Sequence, residues 1–351
     1  MYDNLKNSTF LIGKTLEELE ELAILLNHKK FRGKQLFNWL YVQQVDNYEN
    51  MSNLPVDFRN KLKNLSIHPL KLVQQKITDS KQTGKFLFSL NNGNLVESVL
   101  MHEGSRTTVC LSTQVGCAVD CDFCATAKMG FIQNLTSGEI IDQFLHLQKM
   151  SDNKITNVVF MGMGEPFLNY KNTLEAAHLL HDSRGINMGA WRITISTAGI
   201  VRKINQYAKD KEPFKLAVSL NGSNNNQRLK IMPITNACTL DELIEVSKAY
   251  TLKTRKRITF EYVMLKNIND SMQDAKNLIS LIKSIKCKLN LIPYNEIDGP
   301  YRRPDDQTIM IFLKVFKNAP FPVTVRWSKG QDIDAGCGQL ITKESKYNEK
   351  N

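Results

Sequence analysis

The sequence predicts an α/β protein in which a partial barrel of six βα units follows a small helical module and a short antiparallel β unit. From about residue 107, β-like segments alternate with amphipathic helical segments, a pattern typical of a parallel sheet covered by helices. Before that point, the tetrapeptide Asn-Asn-Gly-Asn at 91–94 separates two apolar runs and indicates a hairpin. In such barrels the reactive side chains gather at the carboxyl ends of the strands.

The helical module is predicted to span residues 1–68. Thr15 and Glu18 make a capping-box pattern, which predicts a helix up to about residue 27. Apolar residues at helical spacing predict two more helices, at 31–42 and near 56–65.

Residues 69–104 are predicted to be a β-hairpin connector. Polar and apolar residues alternate from 71 to 78, and the β-like runs 85–90 and 95–102 flank the turn tetrapeptide.

The barrel is predicted at 105–328, followed by a C-terminal loop and tail at 329–351. The predicted strands are Thr107–Ser112, Thr156–Met161, Arg192–Ser196, Lys215–Leu220, Arg257–Met264, Lys288–Pro293 and Pro322–Trp327. The predicted helices are Ser137–Met150, Tyr170–His181, Ile200–Ala208, Thr239–Tyr250, Ser271–Ile285 and Asp305–Phe316.

The charge balance favours a polyanionic partner. The chain has 351 residues, with 46 Lys and Arg against 35 Asp and Glu, and a net charge of +11. A hydrophobic content of 42% excludes a wholly disordered chain. The N-terminus has no secretory pattern, and the apolar runs fall far short of the roughly 20 residues of a membrane span. We therefore expect a cytoplasmic protein that is not embedded in a membrane.

Cys117, Cys121 and Cys124 form a C-x3-C-x2-C run directly after the first predicted barrel strand. Thiolates are soft ligands that suit zinc or an iron–sulfur cluster. A structural zinc needs four ligands, usually in paired knuckles, and no second knuckle is visible. Three cysteines on a 4Fe-4S cluster leave one iron open for a substrate. The pattern therefore favours a 4Fe-4S cluster over zinc.

A C-x3-C-x2-C run after the first strand of a βα barrel resembles the radical S-adenosylmethionine (SAM) superfamily. The resemblance implies a partial (β/α)6 radical SAM barrel whose open iron chelates SAM. Five motifs narrow it to the RlmN/Cfr family of RNA methyltransferases, over residues 15 to about 341. They are Phe31-Arg-Gly-Lys-Gln35, Ser112-Thr-Gln-Val-Gly-Cys117, Met161-Gly-Met-Gly-Glu-Pro166, Ile193-Thr-Ile-Ser-Thr197 and Asp332-Ile-Asp-Ala-Gly-Cys-Gly-Gln-Leu340.

The resemblance also implies the SAM contacts. Gly164 and Glu165 would contact the methionine end of SAM. The residues expected to contact its ribose, carboxylate or adenine are Ser196, Ser219, Leu220, Asn221 and Asn295. The family usually has His where this chain has Asn221, which keeps hydrogen-bonding capacity but loses a titratable ring.

By the same resemblance, the activity is methylation of C2 of adenine in 23S rRNA and in tRNA next to the anticodon. C2 lies between two ring nitrogens and cannot attack a sulfonium, so a radical route is needed. The family uses two SAM molecules per turnover and an external electron donor such as flavodoxin. Cys337 would carry the methyl group, Cys110 would release the protein–RNA adduct through a transient disulfide, and Glu97 would accept the C2 proton.

Basic segments at 59–85, 248–257 and 302–303 are the candidates for phosphate contacts. Two alternatives remain open from the sequence. One is a Cfr-type enzyme that methylates C8 of the same ribosomal adenine. The other is a basic RNA-binding protein with a structural zinc and no enzymatic activity.

Overall fold

A computed structural model describes residues 9–341. The strands are β1 Leu70–Ile77, β2 Thr83–Leu90, β3 Leu95–Glu103, β4 Arg106–Cys110, β5 Gln114–Gly116, β6 Phe131–Asn134, β7 Asn157–Phe160, β8 Ile193–Thr197, β9 Lys215–Ser219, β10 Ile258–Met264, β11 Cys287–Pro293 and β12 Val323–Val325. The helices are α1 Leu16–Leu25, α2 Phe31–Tyr41, α3 Val56–Leu62, α4 Ala125–Lys128, α5 Ser137–Met150, α6 Tyr170–His181, α7 Val201–Lys209, α8 Asn225–Ile231, α9 Leu240–Thr254, α10 Met272–Ile282 and α11 Asp306–Val315.

One ten-stranded sheet runs through the molecule in the order β1-β2-β3-β4-β7-β8-β9-β10-β11-β12. From β4 to β12 every neighbouring pair is parallel, as the predicted βα alternation requires. The predicted fold class, a partial α/β barrel with a helical module and an antiparallel β unit, is confirmed.

The antiparallel unit is continuous with the barrel sheet. Strand β3 pairs with β4, and Val99 lies opposite Cys110. The sequence predicts a hairpin but not this pairing, because partner strands leave no trace in local periodicity. The consequence is that residues of β3 lie beside the first barrel strand, close to the reactive end of the sheet.

The helix starts follow from local hydrogen bonding. Thr15 and Glu18 form the predicted capping box, and Thr136, Thr239 and Ser271 open α5, α9 and α10 in the same way. The predicted ends of the first and third helices and of the fifth barrel helix differ from the observed ends by two to three residues, and that of the fourth barrel helix by four, as is common at helix termini.

A short hairpin, β5–β6, was not predicted, and it shapes the cysteine loop. Gly116 has φ +72°, and a Cβ there would lie 1.8 Å from the carbonyl oxygen of Gly130. Only glycine fits this close approach. The next residue, Cys117, donates its N–H to the same oxygen at 2.9 Å, so the loop begins at a fixed position.

Among the helices of residues 9–341, none is long and apolar enough to cross a membrane.

Candidate active site

The loop from Cys117 to Cys124 is held at both ends. Cys124 precedes α4, and its N–H donates to the carbonyl of Cys121 at 3.0 Å. In the middle, Asp122 donates its N–H to Ile231 at the end of α8 and accepts a hydrogen bond from Tyr301 at 2.7 Å. These contacts fix the loop against the carboxyl edge of the sheet.

The spacing of the three sulfurs separates the two metal hypotheses. Only one set of three His, Cys, Asp or Glu donor atoms within the described chain lies inside 4.8 Å of one another, and it contains no cysteine. A single zinc with Zn–S bonds of about 2.3 Å requires sulfurs about 3.8 Å apart. At least one pair among the sulfurs of Cys117, Cys121 and Cys124 is therefore more than 4.8 Å apart, which is compatible with binding to different irons of one cluster.

Burial raises the pKa of all three thiols, for Cys117 to about 12. Metal ions replace such protons, because thiolates are the ligands. The donor set therefore fits an iron–sulfur cluster that enters an apolar loop and neutralises the thiolates there.

A buried guanidinium complements this site. Arg228 is fully buried, and it donates to the carbonyls of Leu220 at 3.0 Å and Ala198 at 2.5 Å and to the hydroxyl of Thr235 at 2.9 Å. No carboxylate among residues 9–341 accepts from it, and burial lowers its pKa to about 10. Its charge acts on Cys121, where an anionic cluster would compensate it.

A cavity, here called the central cavity, opens at the carboxyl ends of the barrel strands. It brings together nearly all of the residues that the sequence singles out. They are Cys110, Cys117, Cys121, Cys124, Gly164, Glu165, Ser196, Ser219, Asn221, Asn295 and Cys337.

Two predicted site residues do not line this cavity. Leu220 is fully buried, and its backbone N–H and carbonyl are taken by Glu261 and Arg228. The SAM contact proposed for Leu220 stays a prediction. Glu97 lies on the other side of the C-terminal segment, in a neighbouring cavity.

Gly164 and Glu165 form the turn after β7. Gly164 has φ +95°, and a Cβ there would lie 2.5 Å from Cβ of Gln114. The Glu165 carboxylate accepts hydrogen bonds from the N–H groups of Phe167 at 2.8 Å and Ala198 at 2.6 Å. Burial nevertheless raises its pKa to about 7. The carboxylate is thus oriented and ready to meet a cation such as an ammonium group.

Asn221 has an evident structural role. Its φ is +53°, a left-handed conformation that Asn tolerates better than most residues. Its side chain accepts from the N–H of Val263 at 2.9 Å and approaches the sulfur of Met232 at 3.2 Å. The side chain is therefore already engaged where the family usually has His.

The segment carrying Cys337 is tied down on several sides. Asn295 donates to the Cys337 carbonyl at 3.1 Å, and Ala125 donates to the Gly338 carbonyl at 2.7 Å. The hydroxyl of Thr126 donates to the Leu340 carbonyl at 2.6 Å. These bonds hold Cys337 towards the central cavity and next to the cysteine loop.

Cys110 and Cys337 meet in this cavity as free thiols, and none of the seven cysteines, all within the described chain, forms a disulfide. Burial raises the pKa of Cys110 to about 12 and that of Cys337 to about 11. The guanidinium of Arg326 opposes both shifts. Cys337 lies close enough to Cys110 to contribute to the raised pKa of that thiol.

Three charged residues around the site were not predicted from the sequence. Glu261 interrupts the apolar strand β10 and lines the cavity, and a charge inside a buried strand is the signal that could have identified it. Arg326 directly follows β12 and lines the cavity, with no comparable signal in the sequence. Arg228 lies in a polar stretch of the sequence, where a basic residue gives no sign that it is buried.

The neighbouring cavity, here called the lateral cavity, has a volume of about 580 Å³. It is lined by Lys76, Lys85, Lys128 and Glu97. Asp334, Gln339 and Ile341 of the C-terminal segment, here residues 329–341, also line it. Glu97 pairs with Lys85 at 3.2 Å and accepts from the N–H of Ile341 at 3.0 Å. Burial raises the pKa of Glu97, and Lys85 partly offsets that shift.

The basic segments are not equivalent. Lys76 and Lys85 of the segment 59–85 face the lateral cavity, and 302–303 follows the carboxyl end of β11. The segment 248–257 ends α9 and precedes β10, which puts it at the amino edge of the parallel strands. Its contribution to RNA binding stays a prediction, and its position is remote from the two cavities at the carboxyl edge.

Residues 9–67 match the ribosomal RNA large subunit methyltransferase N-terminal domain, and residues 111–279 match the radical SAM superfamily. A protein described as a probable dual-specificity RNA methyltransferase RlmN, from Leptospira interrogans, is 42% identical over 337 residues, covering 95% of this chain and 96% of the relative. The chain belongs to the RlmN family of radical SAM RNA methyltransferases. An RlmN relative from Thermotoga neapolitana is 40% identical, with 95% and 97% of the two chains covered.

The fold agrees with the RlmN assignment. The crystal structure of a radical SAM methyltransferase from Sphaerobacter thermophilus matches with a TM-score of 0.91 and 40% identity, covering 94% of this chain and 98% of that one. The predicted family and enzyme class are thus confirmed. The chain is an RNA methyltransferase, and its superfamily uses a 4Fe-4S cluster and SAM. A non-enzymatic RNA-binding protein with a structural zinc is excluded.

Proposed function

We propose that this RlmN-family enzyme methylates C2 of adenine in 23S rRNA and in tRNA next to the anticodon, in the cytoplasm. The observation that carries the proposal is the meeting of two free thiols, Cys110 and Cys337, with the cluster cysteines in one cavity. A methyltransferase acting on a nucleophilic atom needs neither thiol. A carbon acceptor that cannot attack SAM needs a protein group that carries the methyl to it.

Cys117, Cys121 and Cys124 would hold the cluster, and Glu165 would face the ammonium group of SAM. Ser196, Ser219, Asn221 and Asn295 line the same cavity and are proposed to bind the rest of SAM. When bound, the cluster and SAM supply the radical that abstracts a hydrogen atom from methylated Cys337. Leu220 is proposed to act only through its backbone, as a support for Arg228.

Cys337 would take the first methyl group from SAM by nucleophilic displacement, and a second SAM molecule would serve the radical step. The thiolate is the reacting form, so the raised pKa of Cys337 must be overcome. Arg326 favours the thiolate because its positive charge lies on the same cavity. An external donor such as flavodoxin would supply the electron.

The target adenine is proposed to enter the lateral cavity. Glu97 is the carboxylate that strand β3 contributes to this cavity, which Glu296, Asp298 and Asp334 also line. The lysines beside Glu97 suit the phosphates that flank a flipped-out base. The C-terminal segment forms the wall between the two cavities: Cys337 faces one side, whereas Gln339 and Ile341 face the other. For Cys337 to transfer a methylene group from the central cavity to adenine in the lateral cavity, the C-terminal segment must therefore move.

Movement of the C-terminal segment would also free Glu97 to act as the general base. The hydrogen bond from Ile341 to Glu97 breaks when the segment shifts, which frees the carboxylate to accept the C2 proton. The Cys110 thiolate would then attack the Cys337 sulfur. By then the Cys337 methylene group would have bonded to C2, and the adduct would have given its unpaired electron to the external redox partner. The S–S bond forms as the sulfur–carbon bond breaks, the electron pair of that bond takes a proton from water to complete the methyl group, and an external reductant then restores the two thiols.

Anaerobic reconstitution followed by nucleoside analysis tests the proposal. The holoenzyme, SAM, a reductant and 23S rRNA or tRNA should yield 2-methyladenosine by mass spectrometry against synthetic standards. Formation of 8-methyladenosine would identify the Cfr-type reaction instead. A methyl group on a ring nitrogen or on ribose would contradict the radical route altogether.

A further inference from the structure

A second group of metal-type donors lies outside the active site, where the helical module joins the barrel. His68 follows the module, and Asp142 and His146 are one turn apart on α5. One donor atom of each residue lies within 4.8 Å of the other two, and no other such triple occurs among residues 9–341. Nothing in the RNA methylation chemistry uses these residues.

Asp142 is the centre of the group. Its side chain is fully buried, and Oδ1 lies 2.5 Å from Nδ1 of His68. The other oxygen, Oδ2, accepts from the backbone N–H of Leu70 at 3.0 Å. A buried carboxylate is costly unless a positive charge accompanies it. Either a proton on His68 or a metal ion can supply that charge.

His146 distinguishes the two possibilities. Its Nε2 is buried, lies 3.6 Å from Oδ2 of Asp142 and has no hydrogen-bond partner among the described residues. The ring is held between those of His68 and Phe88, with centroids 4.9 and 5.5 Å away. A proton on His68 leaves Nε2 of His146 without a hydrogen-bond partner, whereas a metal ion would bind this nitrogen.

Asp46 prepares His68 as a ligand. It accepts from Nε2 of His68 at 2.7 Å, and it also pairs with Lys149. Metal-bound histidines commonly donate their second ring N–H to a carboxylate, which fixes the tautomer and the ring orientation. With the Nε2 proton directed at Asp46, loss of the Nδ1 proton leaves a lone pair of His68 free to bind an ion beside Asp142.

We propose that His68, Asp142 and His146 bind one Zn²⁺ ion, with water as the fourth ligand, and that this ion fastens the helical module to α5. Zinc bonds of about 2.0–2.1 Å place tetrahedral ligand atoms about 3.3 Å apart. Nε2 of His146 lies 3.6 Å from Oδ2 of Asp142, close to that value, whereas Nδ1 of His68 lies 2.5 Å from the other oxygen, Oδ1, so this second pair must lengthen by about 0.8 Å to admit the ion. Two imidazoles and one carboxylate are a donor set that zinc accepts. The ion takes the place of the Nδ1 proton, which passes to the buffer.

The test uses the holoenzyme, because a reconstituted cluster occupies the cysteines that would otherwise bind zinc. After equilibration with micromolar Zn²⁺ and gel filtration, zinc and iron are measured together by mass spectrometry. One zinc ion per chain is expected in addition to the cluster iron, together with a rise in Tm. Absence of zinc from the wild-type holoenzyme overturns the proposal, whatever the variants do.

Variants locate the ion. His146→Gln should bind zinc at least tenfold more weakly, and Asp46→Asn should bind it about tenfold more weakly because an outer partner is lost. His102→Gln is the matched control, since His102 is a half-buried histidine bonded to the Thr107 hydroxyl. Equal zinc affinity in His146→Gln and wild type would locate the ion elsewhere and overturn the proposal.

Discussion

Arg326 and Cys337 line the same buried cavity, and the guanidinium opposes the increase that burial causes in the pKa of the thiol. Arg326 acts on Cys110 in the same direction, so one positive charge serves both sulfurs. It is held there by a contact from Nη1 to the sulfur of Met161 at 3.6 Å. The arrangement favours the anionic form of whichever thiol must act as a nucleophile.

Replacing Arg326 should therefore slow the loading of the methyl group. We expect Arg326→Met to reduce the rate of Cys337 methylation by about tenfold or more, because each unit of pKa changes the thiolate population tenfold. Arg326→Lys keeps the charge and should retain part of the rate. Methyl-cysteine is quantified by peptide mass spectrometry in single-turnover reactions. An unchanged rate in Arg326→Met would remove the guanidinium from the mechanism.

The Glu165 carboxylate predicts how SAM binding depends on pH. Its pKa of about 7 means that it is mostly protonated at pH 6 and mostly ionised at pH 8. If the ionised form binds the ammonium group, the affinity for SAM should rise about tenfold over this interval. Calorimetry on the holoenzyme measures the affinity, and Glu165→Gln is the control that should flatten the profile. A profile that is equally steep in Glu165→Gln would exclude this carboxylate.

The fold was predicted from the periodicity of apolar residues. The prediction agrees with the structure for elements whose conformation this local pattern determines. Helices with capping boxes, such as α5 after Thr136, and the parallel strands of the barrel were foreseen. The pairing of β3 with β4 and the hairpin β5–β6 were not, because contacts distant along the chain decide them.

Motifs in the sequence identified some residues of the site, whereas residues brought there by distant contacts were not identified. Cysteine spacing pointed to the three residues of the cysteine loop, and the family resemblance supplied the other predicted residues that line the central cavity. Leu220 turned inwards because its backbone is needed by Glu261 and Arg228. Arg326 could not be predicted as a site residue, because its effect on the pKa of Cys110 and Cys337 depends on the fold bringing the three residues together.

The cysteine loop should lose its cluster when a single thiol is removed. Cys121→Ala deletes one of three iron ligands, so iron content and the visible absorbance of the reconstituted protein should fall to background. Cys238→Ala is the control, because Cys238 is a free cysteine outside the loop. Full iron content in Cys121→Ala would contradict the assignment.

The lysines of the lateral cavity should contribute to RNA binding. Each lost phosphate contact reduces the log–log salt slope by about 0.7 on single-stranded RNA, so Lys76→Gln with Lys128→Gln should reduce it by about 1.4. Exposed Lys253 and Arg255 lie at the opposite edge of the barrel, and their double Gln variant should leave the slope unchanged. Binding is measured by filter retention between low and physiological salt. The reverse pattern would exclude the lateral cavity as the RNA-binding site.

The central claim is that methyl transfer passes through a covalent bond between Cys337 and C2 of adenine, which Cys110 resolves. Cys110→Ala should still form the adduct but cannot release it, whereas Cys337→Ala should never form it. The most direct measurement is mass spectrometry of Cys110→Ala after reaction with RNA, nuclease digestion and proteolysis. The account predicts an adenosine joined through a methylene group from C2 to the sulfur of Cys337. A Cys110→Ala enzyme that turns over normally and leaves Cys337 free of RNA would contradict it.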